Sequence, residues 1–217
     1  MPDIYTIEGN VGAGKTTFLK SLQETCGSGI VVLFEPVDEW MSFKPKGGDK
    51  SIFELFYEDR KKYGFVFQMM ALQSRFEFLQ KTMEENKDKI IVCERSFLTD
   101  CEIFAKLNND EGNISDVEFA VYKKWHEFFM QVLKPNIKGL VYLRVEPDIC
   151  KERIIKRSRQ GEESFSEDYL RKLHDYHEAW LMGQTYPVLK VDGSGIPDMN
   201  VVLGFISANR EDSTVSP

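Results

Sequence analysis

Gly9-Asn10-Val11-Gly12-Ala13-Gly14-Lys15-Thr16 directly follows the apolar run Ile4–Ile7 and opens a helical stretch. The octet satisfies GxxxxGK[ST], and strand before, helix after is the setting this pattern requires. A glycine-rich turn with an incidental lysine would need no such setting. The glycines let the backbone bend with its N–H groups aimed inward, forming an anion nest at a helix N-terminus. Lys15 is placed to reach the β- and γ-phosphates of a nucleoside triphosphate, and the Thr16 hydroxyl to hold Mg²⁺.

Short apolar runs recur at Ile30–Phe34, Ile90–Cys93, Leu140–Leu143 and Val188–Val191. Several are rich in Val and Ile without clean alternation, as parallel strands buried on both faces are. The stretches between them are long enough for crossover helices, which parallel pairing demands. The expectation is an α/β fold, a five-stranded parallel sheet flanked by helices, in a single domain over 1–207 with a polar, frayed tail at 208–217. The span between the second and third strands reads as two helices. On the second, Gln68, Ala71 and Arg75 recur at i, i+3 and i+7 and share a face.

The chain has 217 residues and a net charge of −7, which argues against nucleic acid or an anionic membrane as the main partner. Cys26, Cys93, Cys101 and Cys150 lack CxxC spacing and read as reduced thiols of a cytoplasmic protein. No run reaches the roughly 18 apolar residues of a membrane span, and the first strand begins too near Met1 for a targeting peptide.

Two acids stand just past strand ends, where open α/β sheets bind ligands: Glu35, before Pro36, and Glu94, before Arg95. Each alone reads equally as a turn residue; flanking the glycine-rich strand together they read as a site. Phosphoryl transfer needs a carboxylate that orients a hydroxyl and accepts its proton late, and Glu35 suits this. Glu94 would hold Mg²⁺, and Arg95 would steady Glu35. Arg153, Arg157 and Arg159 form a basic cluster, either a solvated helix end or an arginine lid closing over phosphates. Trp40, Tyr57, Phe67, Phe76 and Phe104 are aromatic faces for a base or sugar, or simply core.

The chain resembles the deoxynucleoside kinases of the deoxycytidine/deoxyguanosine kinase and insect deoxynucleoside kinase group. The likeness runs from the glycine-rich loop to about Tyr186. It rests on the octet extended through Thr17, Glu35-Pro36-Val37 with Trp40, the segment from Gln68 to Arg75, Glu94 to Asp100, Glu152 to Arg159, and Tyr169 to Leu181. The resemblance implies a P-loop, nucleoside-monophosphate-kinase-like sheet, a homodimer built on the central helices, and transfer of the ATP γ-phosphate to a deoxynucleoside 5′-hydroxyl in nucleotide salvage. It makes Glu35 the base, with Arg95, Lys15 and Arg153 beside it. Gly9 to Thr17 with Arg153, Arg157 and Arg159 would bind ATP, the arginines in a lid around 153–165, and Thr16 and Glu94 would hold Mg²⁺. Tyr57 and Glu162 would grip the sugar 3′-hydroxyl. Gln68 would pair with the base edge, with Ala71, Phe104 and Trp40 against the base.

Arg75 and Asp100 match the pair carried by deoxycytidine and deoxyguanosine kinases, where thymidine-accepting members have apolar or small residues. The pair would crowd a thymine 5-methyl and favour deoxycytidine, deoxyadenosine or deoxyguanosine. Gly193–Pro197 departs from the family's adenine-contacting loop, and His174, His177 and Trp180 read as packing residues. The rival readings are a thymidylate-kinase-like nucleotide kinase, whose acceptor phosphate Glu35 would repel, and a non-catalytic relative, which would have no need of Lys15, Glu35 and the lid arginines together.

Overall fold

The computed structural model describes residues 1–159 and 165–211. Five parallel strands are present: β1 (Asp3–Glu8), β2 (Ile30–Leu33), β3 (Ile90–Glu94), β4 (Asn136–Arg144) and β5 (Val188–Asp192), in the order β2-β3-β1-β4-β5. All pairings are parallel, with Asp3 opposite Ile90 and Ile7 opposite Glu94. The central β1 and β3 are buried along almost their whole length, so nothing alternates in their sequences. The edge strands β2 and β5 are partly exposed.

Successive β1 side chains divide two cores. Tyr5 and Ile7 pack with Leu19 and Leu22 of α1 (Lys15–Thr25) and with Val202 and Ile206 of a C-terminal helix, while Ile4 joins Leu72, Leu79 and Tyr122 on the opposite face. That C-terminal helix runs Met199–Glu211, beyond residue 208 where the sequence suggested a tail.

The span between β2 and β3 forms three helices, not the expected two: α2 (Val37–Ser42), α3 (Ile52–Glu58) and α4 (Arg60–Glu85). Asp59 makes the extra break. Its backbone leaves the helical region and its side chain accepts the Lys62 N–H, capping α4. Ser51 and Glu54 form a capping box at the start of α3. After β3 come α5 (Phe97–Thr99), a π-helical turn at Asp100–Ala105, α6 (Lys106–Asp110) and α7 (Asp116–Leu133). Then α8 (Pro147–Arg157) follows β4, α9 (Glu167–Met182) precedes β5, and the C-terminal helix is α10. Among the described residues no helix is long and apolar enough to cross a membrane.

The connection leaving β1 runs past β3 to β2, whereas the one leaving the neighbouring β3 runs the other way, past β1 to β4, so the two diverge from the C-terminal ends of adjacent strands. A crevice opens there, as open parallel sheets dictate.

Candidate active site

A cleft of about 470 Å³ lies at this switch point. Its floor is the glycine-rich loop. Gly9 has φ +144°, and a Cβ there would stand 2.6 Å from the Leu143 carbonyl oxygen; only glycine fits. Asn10 is buried, donating to the Leu170 carbonyl of α9 at 2.8 Å and accepting from Val11 N–H at 2.8 Å. Ala13 is buried against Ile103 and Val145. Gly9, Asn10 and Ala13 therefore shape the loop from beneath, whereas Val11, Gly12, Gly14, Lys15, Thr16 and Thr17 face the cleft.

Lys15 is buried and donates to the carbonyls of Gly9 (3.0 Å) and Asn10 (2.8 Å). Burial, and then Arg95, lower its pKa to about 7, against the opposing pull of Glu94 and Glu35. An anion delivered beside it would reverse that shift. Thr16 Oγ1 donates to Glu94 Oε1 at 2.7 Å. A hydroxyl and a carboxylate held side by side are hard oxygen donors, the chemistry Mg²⁺ selects.

Pro36 fixes the chain leaving β2, and Glu35 turns into the cleft between two guanidinium groups. Arg75 Nη2 donates to one carboxylate oxygen and Arg95 Nη1 to the other at 3.3 Å. Burial alone would raise the Glu35 pKa, but Arg95, Arg75 and Lys15 outweigh it and hold the group at about 2. Arg95 sits at φ +64°, its N–H bonded to the Ile7 carbonyl at 3.0 Å and its Nη2 to that of Gly9 at 3.3 Å. A non-glycine residue held there by surrounding bonds is typical of functional sites.

The far wall comes from α4. Gln68, Ala71 and Arg75 all line the cleft, as their spacing predicts. Gln68 Oε1 is buried with no hydrogen-bond partner among the described residues. Arg75 Nε lies 2.6 Å from Asp100 Oδ2, off the N–H axis, so their attraction is Coulombic and neither atom makes a hydrogen bond. Burial pushes the Asp100 carboxyl up to about 7, with Arg75 opposing. The π-helical turn aims both Asp100 and Phe104 inward, and Phe104 lies 4.9 Å beneath the Arg95 guanidinium. Trp40, Tyr57 and Phe67 complete an aromatic wall.

The basic cluster divides. Arg157 and Arg159 line the cleft, whereas Arg153, one turn earlier, donates to the Ala13 carbonyl (3.2 Å) and to that of Ser194 (2.7 Å). It ties the glycine-rich loop to the Gly193–Pro197 segment. Glu162 lies outside the described residues. Phe76 stacks on Phe129 at 4.4 Å in the core and is no part of the wall. His177 is fully buried, its Nδ1 2.6 Å from the Leu173 carbonyl and its ring stacked on Tyr142, which fits packing.

Sequence reasoning missed Lys20, Phe34, Asp38, Phe53, Phe56 and Tyr169, all of which line the cleft. Tyr169 stacks on Phe165 and carries Arg60 at 3.9 Å over its ring.

The deoxynucleoside kinase family model matches residues 5–211, so it covers the glycine-rich loop, both acids and the α4 wall together. The chain belongs to the deoxynucleoside kinase family. It is 33% identical over 202 residues to a Fowlpox virus (strain NVSL) chain described as a probable deoxycytidine kinase, covering 90% of this chain and 81% of that one. It is 31% identical over 207 residues to the mitochondrial deoxyguanosine kinase of Xenopus laevis, covering 88% and 78%. With the deoxycytidine kinase of Rattus norvegicus it shares 30% over 228 residues, covering 97% and 87%. The chain is thus a phosphotransferase of nucleotide salvage that takes a nucleoside triphosphate donor and a deoxynucleoside acceptor.

Proposed function

We propose that this deoxynucleoside kinase transfers the γ-phosphate of ATP to the 5′-hydroxyl of deoxycytidine, deoxyadenosine or deoxyguanosine in preference to thymidine. The observation that carries this is Arg75, held between Glu35 and Asp100 beside the unpartnered Gln68 Oε1. Gln68 Oε1 would accept from an exocyclic amino group, and the ion pair crowds the position of a thymine methyl.

Glu35, ionised by its two arginines, orients the 5′-hydroxyl and accepts its proton late, as the oxygen bonds to the γ-phosphorus. The bridging oxygen leaves with the electron pair on the diphosphate. Lys15, Arg157 and Arg159 face the phosphates and offset the growing charge. Thr16 and Glu94 would hold Mg²⁺, which neutralises phosphate charge when bound. Arg153 supports this arrangement from the loop's outer side.

The active form is a homodimer through α4 and α7. Val117, Val121, Trp125, Phe128 and Val132 form an exposed apolar stripe down α7, with Val66 and Phe78 exposed on α4. The cytoplasm is the compartment we assign, a reading supported by the four free thiols.

The test is turnover of the four deoxynucleosides and of ribonucleosides with ATP and Mg²⁺. A kcat/KM for thymidine equal to or above all three favoured substrates would refute the base preference. Light scattering of the wild type and of Trp125→Glu checks the dimer, which the variant should break.

A further inference from the structure

Among the described residues the Trp40 indole N–H is bonded to Ser74, which does not line the cleft. The indole stacks on Phe53 (centroids 6.5 Å apart) and meets Phe67 edge-on at 5.5 Å. Such apolar contacts hold a ring's plane more firmly than they choose which edge carries the N–H. That choice is made by Ser74: Trp40 Nε1 donates to Ser74 Oγ at 2.8 Å. The Ser74 hydroxyl in turn donates to the Ala71 carbonyl at 3.1 Å, so its proton is committed and its lone pairs are aimed at the indole. A buried indole N–H needs such an acceptor.

Ser74 is fully buried and lies between Ala71 and Arg75, both of which line the cleft while Ser74 does not. The Arg75 guanidinium rests 5.3 Å from the Trp40 ring centroid, so the orientation of the indole also bears on the ion pair beside it. We propose that Ser74 is a positioning residue for the acceptor base, acting only through the Trp40 indole. This rests on the reading of the cleft as the acceptor site.

Steady-state kinetics of Ser74→Ala test it. The acceptor KM should rise roughly tenfold, the scale of one orphaned buried donor. Both kcat and the donor KM should stay within about twofold. Discrimination against thymidine should narrow. In a Trp40→Phe background, where no N–H needs an acceptor, Ser74→Ala should change the acceptor KM no further. Ser74→Cys keeps the volume with a weaker acceptor; an intermediate rise is expected, and this arm decides the matter if Ser74→Ala does not fold. A wild-type acceptor KM in the folded variant, an equal rise for both substrates, or a rise undiminished by Trp40→Phe would overturn the proposal. A wild-type protein that phosphorylates no deoxynucleoside would sink the acceptor reading and this inference with it.

Discussion

Arg75 and Asp100 form a buried ion pair in which Nε and Oδ2 approach to 2.6 Å without a directed hydrogen bond. The guanidinium is shared, because its Nη2 serves Glu35. One arginine therefore links Asp100, which we assign to reading the base, to Glu35, which we assign to the acceptor hydroxyl.

That sharing sets how the pair responds to substitution. Above about pH 7, where Asp100 is ionised, Asp100→Ala leaves a buried guanidinium with less compensation, and losing one partner of such a pair costs about 3–5 kcal/mol. The double variant Arg75→Met/Asp100→Ala removes both charges and should unfold at a higher denaturant midpoint than Asp100→Ala alone. It should also narrow the gap in kcat/KM between deoxycytidine and thymidine. Because Glu35 loses a donor, its kcat for every substrate should fall too. A double variant with wild-type kcat would show that the Arg75–Glu35 contact plays no part in turnover.

Glu35→Gln keeps the shape and removes the charge. Turnover should drop about 10²- to 10⁴-fold, the span of a positioned base, with ATP affinity unchanged by calorimetry. The wild-type carboxylate is held at about 2, below its ordinary 4.5, so it is ionised throughout the working range. Its folded value being depressed, Glu35 supports the fold above about pH 4.5, and that support is lost as pH falls toward 2. Acid unfolding should therefore weaken the wild type more steeply than the glutamine variant across this window. Parallel acid profiles would contradict the assigned ionisation.

The sheet and much of the lining of the candidate cleft were legible for a physical reason: buried parallel strands and a glycine-rich strand–helix turn each need a local residue pattern. Gln68, Ala71 and Arg75 were readable because helical spacing alone puts them on one face. Asp59 was not recognised as a break, since capping competes with propensity residue by residue. The π-helical turn that aims Asp100 and Phe104 leaves no mark in the sequence; it follows from packing against α4, α7 and α9. Arg153 and Arg157 looked equivalent at one-turn spacing, yet Arg153 finds the carbonyls of Ala13 and Ser194 first. Tertiary partners, not spacing, separate their roles.

Gly9 offers a steric test. Gly9→Ala would force a Cβ to 2.6 Å from a β4 carbonyl at a φ that L-residues rarely adopt. The loop must shift, and with it the carbonyl that holds Lys15 and Arg95. ATP affinity should fall at least about tenfold, because the nest geometry is lost. Gly27→Ala, with nothing within 4 Å of its Cβ position and ordinary φ, is the control and should bind normally. Equal binding by both variants would refute the steric account.

Lys15 gives the pH prediction of widest reach. In the free protein its pKa is lowered from 10.5 to about 7, chiefly by burial and then by Arg95. It is charged below that value and increasingly neutral above it. Donor phosphates beside the ammonium favour the charged form, so the bound pKa must rise. Two consequences share one sign. The donor kcat/KM, which reports the free enzyme, should fall as pH rises through about 7, while kcat, which reports the complex, stays level. Binding of ATP near pH 8 should also take up a proton, seen as a calorimetric enthalpy that changes with the ionisation enthalpy of the buffer. Lys15→Met should abolish both effects along with turnover. A donor kcat/KM that stays flat between pH 6 and 9, with buffer-independent heats, would mean that Lys15 is already charged before the phosphates arrive.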